Sequence, residues 1–568
     1  MKNNFLIKFF TACIFASFIS CETTELDLLA DPDAVSTDQN DPEFLFNNIQ
    51  LQFDNFVQNV TGHSSFTSEV TRMYAMTGSS NYPSAYAPIT FSALWEDAYA
   101  EVLIDIQALE PIAQEQGLTY HLGASKVMKA YILTALVDLF GDVPLSEALK
   151  GNESLNPNAD SQIEIYQQAL LELDQAISLL GTESTLMPGE DFYYGYLNAG
   201  VPSAALQSNW ITAAKTMKLK IYNNVRLNGT AIGVNVTAEM NALISANDLI
   251  DTPEEDFQFN YGAQRNNPNT RHPGYNTFYE VDNGGQYMSN YYMWTLAAEK
   301  GFDDPRLKYY FYRQDLNANN EDIFTLGCGA QSAPGHYSSV TSFYTSEPVP
   351  FCTAVPSRGY WGRDHGDNSG IPPDNDKRTA YGLYPVGGSI DNGEGGSVQN
   401  EGVDGSQGAG ITPILLSSFT EFIKAEAGLT AGVNSNPRVA LENGMRDSFE
   451  KVITFNGIDE ITPIVQTNID DYVDFVLAAY DAGDNSEKLE VIAKEYYIAL
   501  FGNGLEAYNL YRRTGKPSNM QPSRSPSPGS FYRSAYYPSN YVNVNINANQ
   551  KEITEQVFWD TNPAGFIN

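Results

Sequence analysis

Apolar residues return at three- and four-residue spacing in a series of stretches punctuated by Gly, Pro and Asn, the pattern of amphipathic helices rather than strands. Residues 118–149 read LTYHLGASKVMKAYILTALVDLFGDVPLSEAL. Val127, Met128, Tyr131, Ile132, Ala135, Leu136 and Leu139 share one stripe of this helix, with Lys126 and Lys129 off it. Gly141 offers a left-handed stop, and Pro144 makes Val143 extended. One stripe cannot bury itself, so partner helices are required. The spacing predicts them over residues 42–60, 91–116 (with a kink at Pro111), 162–180 (capped by Asp160 or Ser161) and 203–225. Further helices are predicted over residues 417–429, 438–452, 469–480 and 488–513.

Between these sets, residues 251–410 lose the period, and only 286–300 reads as helix. Gly, Asn, Pro and Tyr dominate, and 385–410 is Gly-rich and nearly free of large apolar side chains. An irregular block inside a helical chain is usually functional surface on a scaffold. The expected organisation is an export signal (1–20), a polar tether (21–40), an N-terminal helical scaffold (41–250), a loop-rich aromatic lobe (251–410), and a C-terminal scaffold with closing loops (411–568). Helix pairs at this spacing are compatible with tetratricopeptide-like units, although the strict repeat signature is absent.

Composition adds a compartment. Lys2 and Lys8 precede a mainly apolar run, residues 5–19, that ends in small residues before Cys21, too short and too early for a spanning helix. Ile19-Ser20-Cys21 resembles a lipobox, with Phe18 and Ser20 standing where Leu and Ala or Gly are usual, so Cys21 is the expected lipidation site. Glu22, Glu25 and Asp27 follow it. Of the four cysteines, Cys13 leaves with the signal and Cys21 takes lipid, which leaves Cys328 and Cys352 as a candidate disulfide that sequence alone leaves open. The net charge of −37 excludes nucleic acid as a partner, since that needs a basic surface.

Several segments carry a resemblance. AYILTALVDLFGDVPLSEAL (130–149), FDDPRLKYYF (302–311), SSFTEFIKAEAGL (417–429), EYYIALFGNGLEAYNLYRRTG (495–515) and YRSAYYPSNYVNVN (532–545) resemble, in this order, landmarks of the SusD/RagB family. Lys424 stands where Arg is more usual. The resemblance implies a mainly α, tetratricopeptide-like scaffold with a loop-rich lobe. It also implies a non-catalytic outer-membrane lipoprotein at the cell surface that captures nutrients, mostly glycans, for a SusC-like TonB-dependent barrel.

Gly502-Asn503-Gly504-Leu505-Glu506-Ala507 fits a dinucleotide pattern, but a helical run rather than a strand precedes it, which favours a close helix crossing. Asp303-Asp304 and Asp470-Asp471 are carboxylate pairs of the glycosidase type. They are sequence neighbours, whereas glycosidase acids face each other across a cleft, and capping is the simpler role for the first pair. Asp315-x-Asn317-x-Asn319-Asn320 begins like a calcium loop, but Leu326 stands where the bidentate carboxylate belongs; Asp364-His365-Gly366-Asp367-Asn368 also gathers oxygens. No cofactor is expected, with a structural Ca2+ the one ion kept open. Sugar rings need aromatic faces and planar polar groups. The expected ligand platform is therefore loop-borne: Tyr74, Tyr82, Tyr86, Tyr279, Tyr287, Tyr360 and Trp361, with Arg363 and Asp364 beside them and Trp294 on a helix. Peptide capture by a RagB-like relative is the alternative, and a surface glycoside hydrolase a more distant one.

Overall fold

The computed structural model describes residues 41–195, 203–280, 286–317, 327–355, 358–369, 377–398, 402–457 and 466–566. The export signal, Cys21, the tether and most of the loop after Asp315 lie outside the described residues. The fold is mainly α.

Helix α1 (Pro42–Thr61) opens where the Asp41 carboxylate accepts the Glu43 amide and Pro42 fills the first turn. It packs on α2 (Ile104–Gln116), which follows a wide π-helical stretch over Asp97–Leu103. The break in regular geometry falls at that stretch, upstream of Pro111, which α2 carries in its interior.

Helix α3 (Thr119–Phe140) departs from the one-stripe expectation, because only Thr119 and Lys129 escape full burial. It is the centre of its layer, touching α2, α4 (Gln162–Leu180) and α5 (Ser203–Val225). Its off-stripe lysines are neutralised rather than solvated. Lys126 and Lys129 lie 2.6 and 2.9 Å from the Glu172 carboxylate of α4. Gly141 ends α3 at φ 79°, ψ −120°, a conformation that only glycine holds without strain. Ser161 caps α4 in a reciprocal box with Glu164. A further helix, α6 (Val236–Ala246), packs on α5.

In the second half, α7 (Asn290–Ala297) is shorter than its predicted run. Helices α8 (Ser417–Thr430), α9 (Pro437–Ile453), α10 (Gln466–Ala482) and α11 (Asn485–Ala499) pack in sequence, and α8 also meets α5 of the first half. The run predicted over 488–513 is two helices. Gly502 takes φ 97°, and Asn503 then caps α12 (Gly504–Thr514) by accepting the Glu506 amide. A Cβ on Gly504 would sit 2.2 Å from Ser68 Oγ, so this glycine marks a close helix crossing.

Strand β1 (Phe257–Asn260) pairs antiparallel with β4 (Ile411–Leu415), Phe259 opposite Thr412. The irregular segment therefore leaves and rejoins the scaffold at one stem. A second small ladder joins β2 (Phe311–Tyr312) to β3 (Ala380–Tyr381) inside it.

Buried polar groups tie together the motif segments quoted above. Glu426 of α8 accepts from Arg513 Nε and Nη2 at 2.7 and 2.8 Å and pairs with Arg226 at 2.8 Å. Arg306 lies between Asp304, at 2.7 Å, and Glu495, at 3.3 Å. Asp138 of α3 accepts from Asn509 Nδ2 at 2.7 Å, Trp559 Nε1 at 2.9 Å and the Tyr166 hydroxyl. Such groups are costly to bury, and with partners in place they fix which segments meet.

Candidate functional site

The loop-borne rings do not form an open platform. Tyr74, Tyr82, Tyr86, Tyr279, Tyr287, Trp294, Tyr360, Trp361, Arg363 and Asp364 are all buried, none above 5% exposed. The expectation that loop placement exposes them is corrected, and the reason is physical. A lobe with little regular structure builds its core from large rings whose hydroxyls satisfy loop backbone. Tyr279 donates to the Tyr381 carbonyl at 2.6 Å, while Tyr74 stacks on Phe501 and bonds the Tyr381 hydroxyl. Tyr287 lies under the Arg363 guanidinium and Trp294 beside Tyr291. Trp361 packs against Cys328 and Cys352, which form a disulfide.

Tyr82, Tyr287, Arg363 and Asp364 nonetheless meet at one polar hub, whereas Tyr279 and Tyr360 take their partners elsewhere. The Asp364 carboxylate accepts from Asn290 Nδ2 at 2.9 Å, Gln521 Nε2 at 3.0 Å and the Cys352 amide at 2.8 Å. Burial lifts its carboxyl above the ordinary range despite these bonds. Asp367 lies between Arg363 and Arg524. Burial alone would raise it, but the Ser369 hydrogen bond and the two guanidiniums hold it below its usual value. Both aspartates thus spend their oxygens on protein donors. Among the described residues no group of three or more His, Cys, Asp or Glu is placed to hold a metal ion. In the FDDPR segment, Asp304 caps its turn by accepting the Arg306 amide, and Asp303 pairs with Arg358.

Tyr82 and Tyr86 stack with centroids 6.3 Å apart at one edge of the hub. Arg72 donates from Nη2 to the Tyr82 hydroxyl at 3.1 Å and from Nε to the Gln521 carbonyl at 3.0 Å. His365 Nε2 lies 3.2 Å from the same hydroxyl. Burial and the Arg72 charge push the His365 pKa well down, which keeps the ring neutral beside that hydroxyl. Arg72 (φ 62°) and Cys352 (φ 75°) both hold left-handed backbone here, which for non-glycine residues marks a tightly specified site.

A cleft of about 610 Å³ opens over this edge. Arg72, Tyr82 and Phe531 line it, together with His336, Ser523 and Arg533. His336 Nε2 is 2.8 Å from the Ser523 carbonyl. The Ser523 hydroxyl is buried and has no hydrogen-bond partner among the described residues. Of the sequence candidates only Tyr82 lines this cleft, and Tyr360 lines a second one of about 750 Å³. Arg72, His336, Ser523 and Phe531 were missed. The Ser/Pro-rich run 522–530 between α12 and the closing segment was the available signal.

Stacked helix pairs carrying an irregular lobe on a two-stranded stem define a SusD-like architecture. Family models agree across most of the chain: residues 32–354 match "Starch-binding associating with outer membrane" and residues 412–558 match "Susd and RagB outer membrane lipoprotein". The chain belongs to the SusD/RagB family. Among solved structures it is similar to a SusD/RagB family protein from Bacteroides thetaiotaomicron (TM-score 0.63, 17% identity, covering 92% of this chain and 100% of that one). It is also similar to a SusD homologue from Bacteroides fragilis (0.62, 17%, 92% and 99%) and a chitin-binding SusD homologue from Flavobacterium johnsoniae (0.61, 17%, 92% and 100%). No curated protein sequence gives a significant match. Among the described residues no helix is long and apolar enough to cross a membrane.

Proposed function

We propose that the chain is a non-catalytic cell-surface lipoprotein, anchored through Cys21, that holds an oligosaccharide in the cleft over Arg72 and Tyr82 and passes it to a SusC-like TonB-dependent barrel. The observation that carries the binding site is the cleft itself, about 610 Å³ and lined by Arg72, Tyr82, His336, Ser523 and Phe531, which sets ordered polar groups beside an aromatic edge. Fixed donors lose little freedom on binding, which favours affinity from a small contact. The family descriptions and the chitin-binding relative support the glycan, and the surplus of acid supports a neutral one.

A second reading is favoured by one observation: among the described residues no tyrosine or tryptophan is exposed. A peptide, held by backbone hydrogen bonds and pockets, needs fewer open rings. Calorimetry against chitohexaose, a panel of neutral glycans and a tryptic peptide mixture separates the two. The glycan reading expects saturable binding of at least one glycan, weakened by Ser523→Ala and by His336→Ala. Binding of peptides alone would replace it with the second reading.

A further inference from the structure

The second cleft, about 750 Å³, has a different chemistry from the first. Phe44, Phe302 and Phe566 are the exposed aromatic side chains among the described residues, and Phe302 lines this cleft at 38% exposure. Its ring is preset: Phe475 and Tyr472 meet it edge-on, with centroids 4.9 and 6.0 Å away. A ring held this way offers a face without first losing rotamer freedom.

Both walls beside Phe302 are polar and already ordered. On one wall the Arg313 and Arg358 guanidiniums lie 5.0 and 5.6 Å from the Tyr360 ring centroid. Each is matched by a two-point carboxylate. Arg358 donates to Asp303 at 2.8 and 2.6 Å, and Arg313 to Asp391 at 2.6 and 3.1 Å. On the other wall, α10 presents Asn468 and Asp471, both exposed. Asp471 has no ion-pair partner among the described residues.

We infer that this cleft is a second carbohydrate site, separate from the cleft over Tyr82, that takes a neutral sugar with one ring face on Phe302 and its hydroxyls on Asp471, Asn468 and the Asp303–Arg358 pair. The charge pattern selects the class. An anionic sugar would face Asp303, Asp304, Asp391 and Asp471 against Lys308, Arg313 and Arg358 on this lining, in a protein of net charge −37. A neutral sugar uses the same carboxylates and amides as they stand, its hydroxyls donating to Asp471 and accepting from Asn468.

The test is fluorine NMR of the whole secreted chain carrying 4-fluorophenylalanine, with the Phe302 signal assigned by its loss in Phe302→Leu. The probes are methyl glucoside, methyl galactoside, N-acetylglucosamine, glucuronate and a tripeptide. The Phe302 signal is expected to shift saturably with at least one neutral sugar, more weakly by several-fold in Asp471→Asn, and unchanged in Ser523→Ala. Circular dichroism confirms that each variant is folded. The inference is overturned if no neutral sugar gives a saturable shift, if glucuronate or the tripeptide shifts the signal as strongly, or if Asp471→Asn leaves the titration unchanged. Loss of the response in Ser523→Ala would mean one site rather than two.

Discussion

Glu426→Gln is the sharpest perturbation of the scaffold. Glu426 is wholly buried where α5, α8 and α12 meet, with Arg226 at 2.8 Å and Arg513 gripping both oxygens. Asn223 Nδ2 adds a fourth contact at 3.2 Å. Burial alone would raise its pKa, but the two guanidiniums outweigh burial and hold it at about 2, against an ordinary 4.5. Removing the charge leaves two buried cations facing a neutral amide, and breaking a buried pair in this way costs roughly 3–5 kcal/mol. The pKa gives a second, independent signature. Because it is depressed in the folded state, the stabilisation is present above pH 4.5 and is lost as pH falls through 2, worth about 3 kcal/mol at 1.36 kcal/mol per unit. Urea unfolding followed by far-ultraviolet circular dichroism at pH 7 and at acid pH reads both. The variant is expected to unfold at markedly lower urea at pH 7 and to lose less of its remaining stability between pH 4.5 and 2. A variant as stable as the parent at pH 7, or one with the parent's full acid loss, would refute the reasoning.

Asp54 gives the opposite pH dependence: burial lifts its pKa to about 7 despite hydrogen bonds from Thr412 and Tyr261. Its contribution is complete below pH 3.8 and falls by about 4 kcal/mol as pH rises through 7, so Asp54→Asn should flatten the stability profile over that window in thermal melts. Gly504→Val should destabilise by several kcal/mol or block folding, since the new Cβ would lie 2.2 Å from Ser68 Oγ, whereas Gly393→Ala, whose Cβ would meet nothing within 4 Å, should cost only about 1 kcal/mol for its left-handed backbone; expression yield and melting temperature compare them. Tyr82→Phe keeps the stack on Tyr86 but removes the hydroxyl shared by Arg72 and His365, and should lower stability by about 1–3 kcal/mol in urea unfolding.

The scaffold was legible because its signals are local. The stripe of α1, the Ser161 cap of α4 and the Gly141 stop each act within a few residues, and each does so in the fold. The same sequence misread α3, because a stripe reports only its strongest face, while Lys126 and Lys129 are covered by a partner, Glu172, from another helix. The lobe was harder for the same reason at larger scale. Whether Tyr360 or Trp361 stands open depends on Arg313, Arg358 and a disulfide reaching it from other loops, and no periodicity encodes that. Aromatic richness there marked a core rather than a surface. The polar hub was partly visible, in that Trp361, Arg363 and the oxygen-rich run Asp364-His365-Gly366-Asp367-Asn368 belong to it, but its partners Arg72 and Gln521 lie far away in sequence.

The most direct test of the central claim is calorimetric titration of the purified chain and its Ser523→Ala variant with chitohexaose and the neutral glycan panel. The account predicts saturable binding of at least one glycan and several-fold weaker binding by a variant whose melting temperature is unchanged. Binding that ignores Ser523→Ala, or no glycan binding at all, would contradict it.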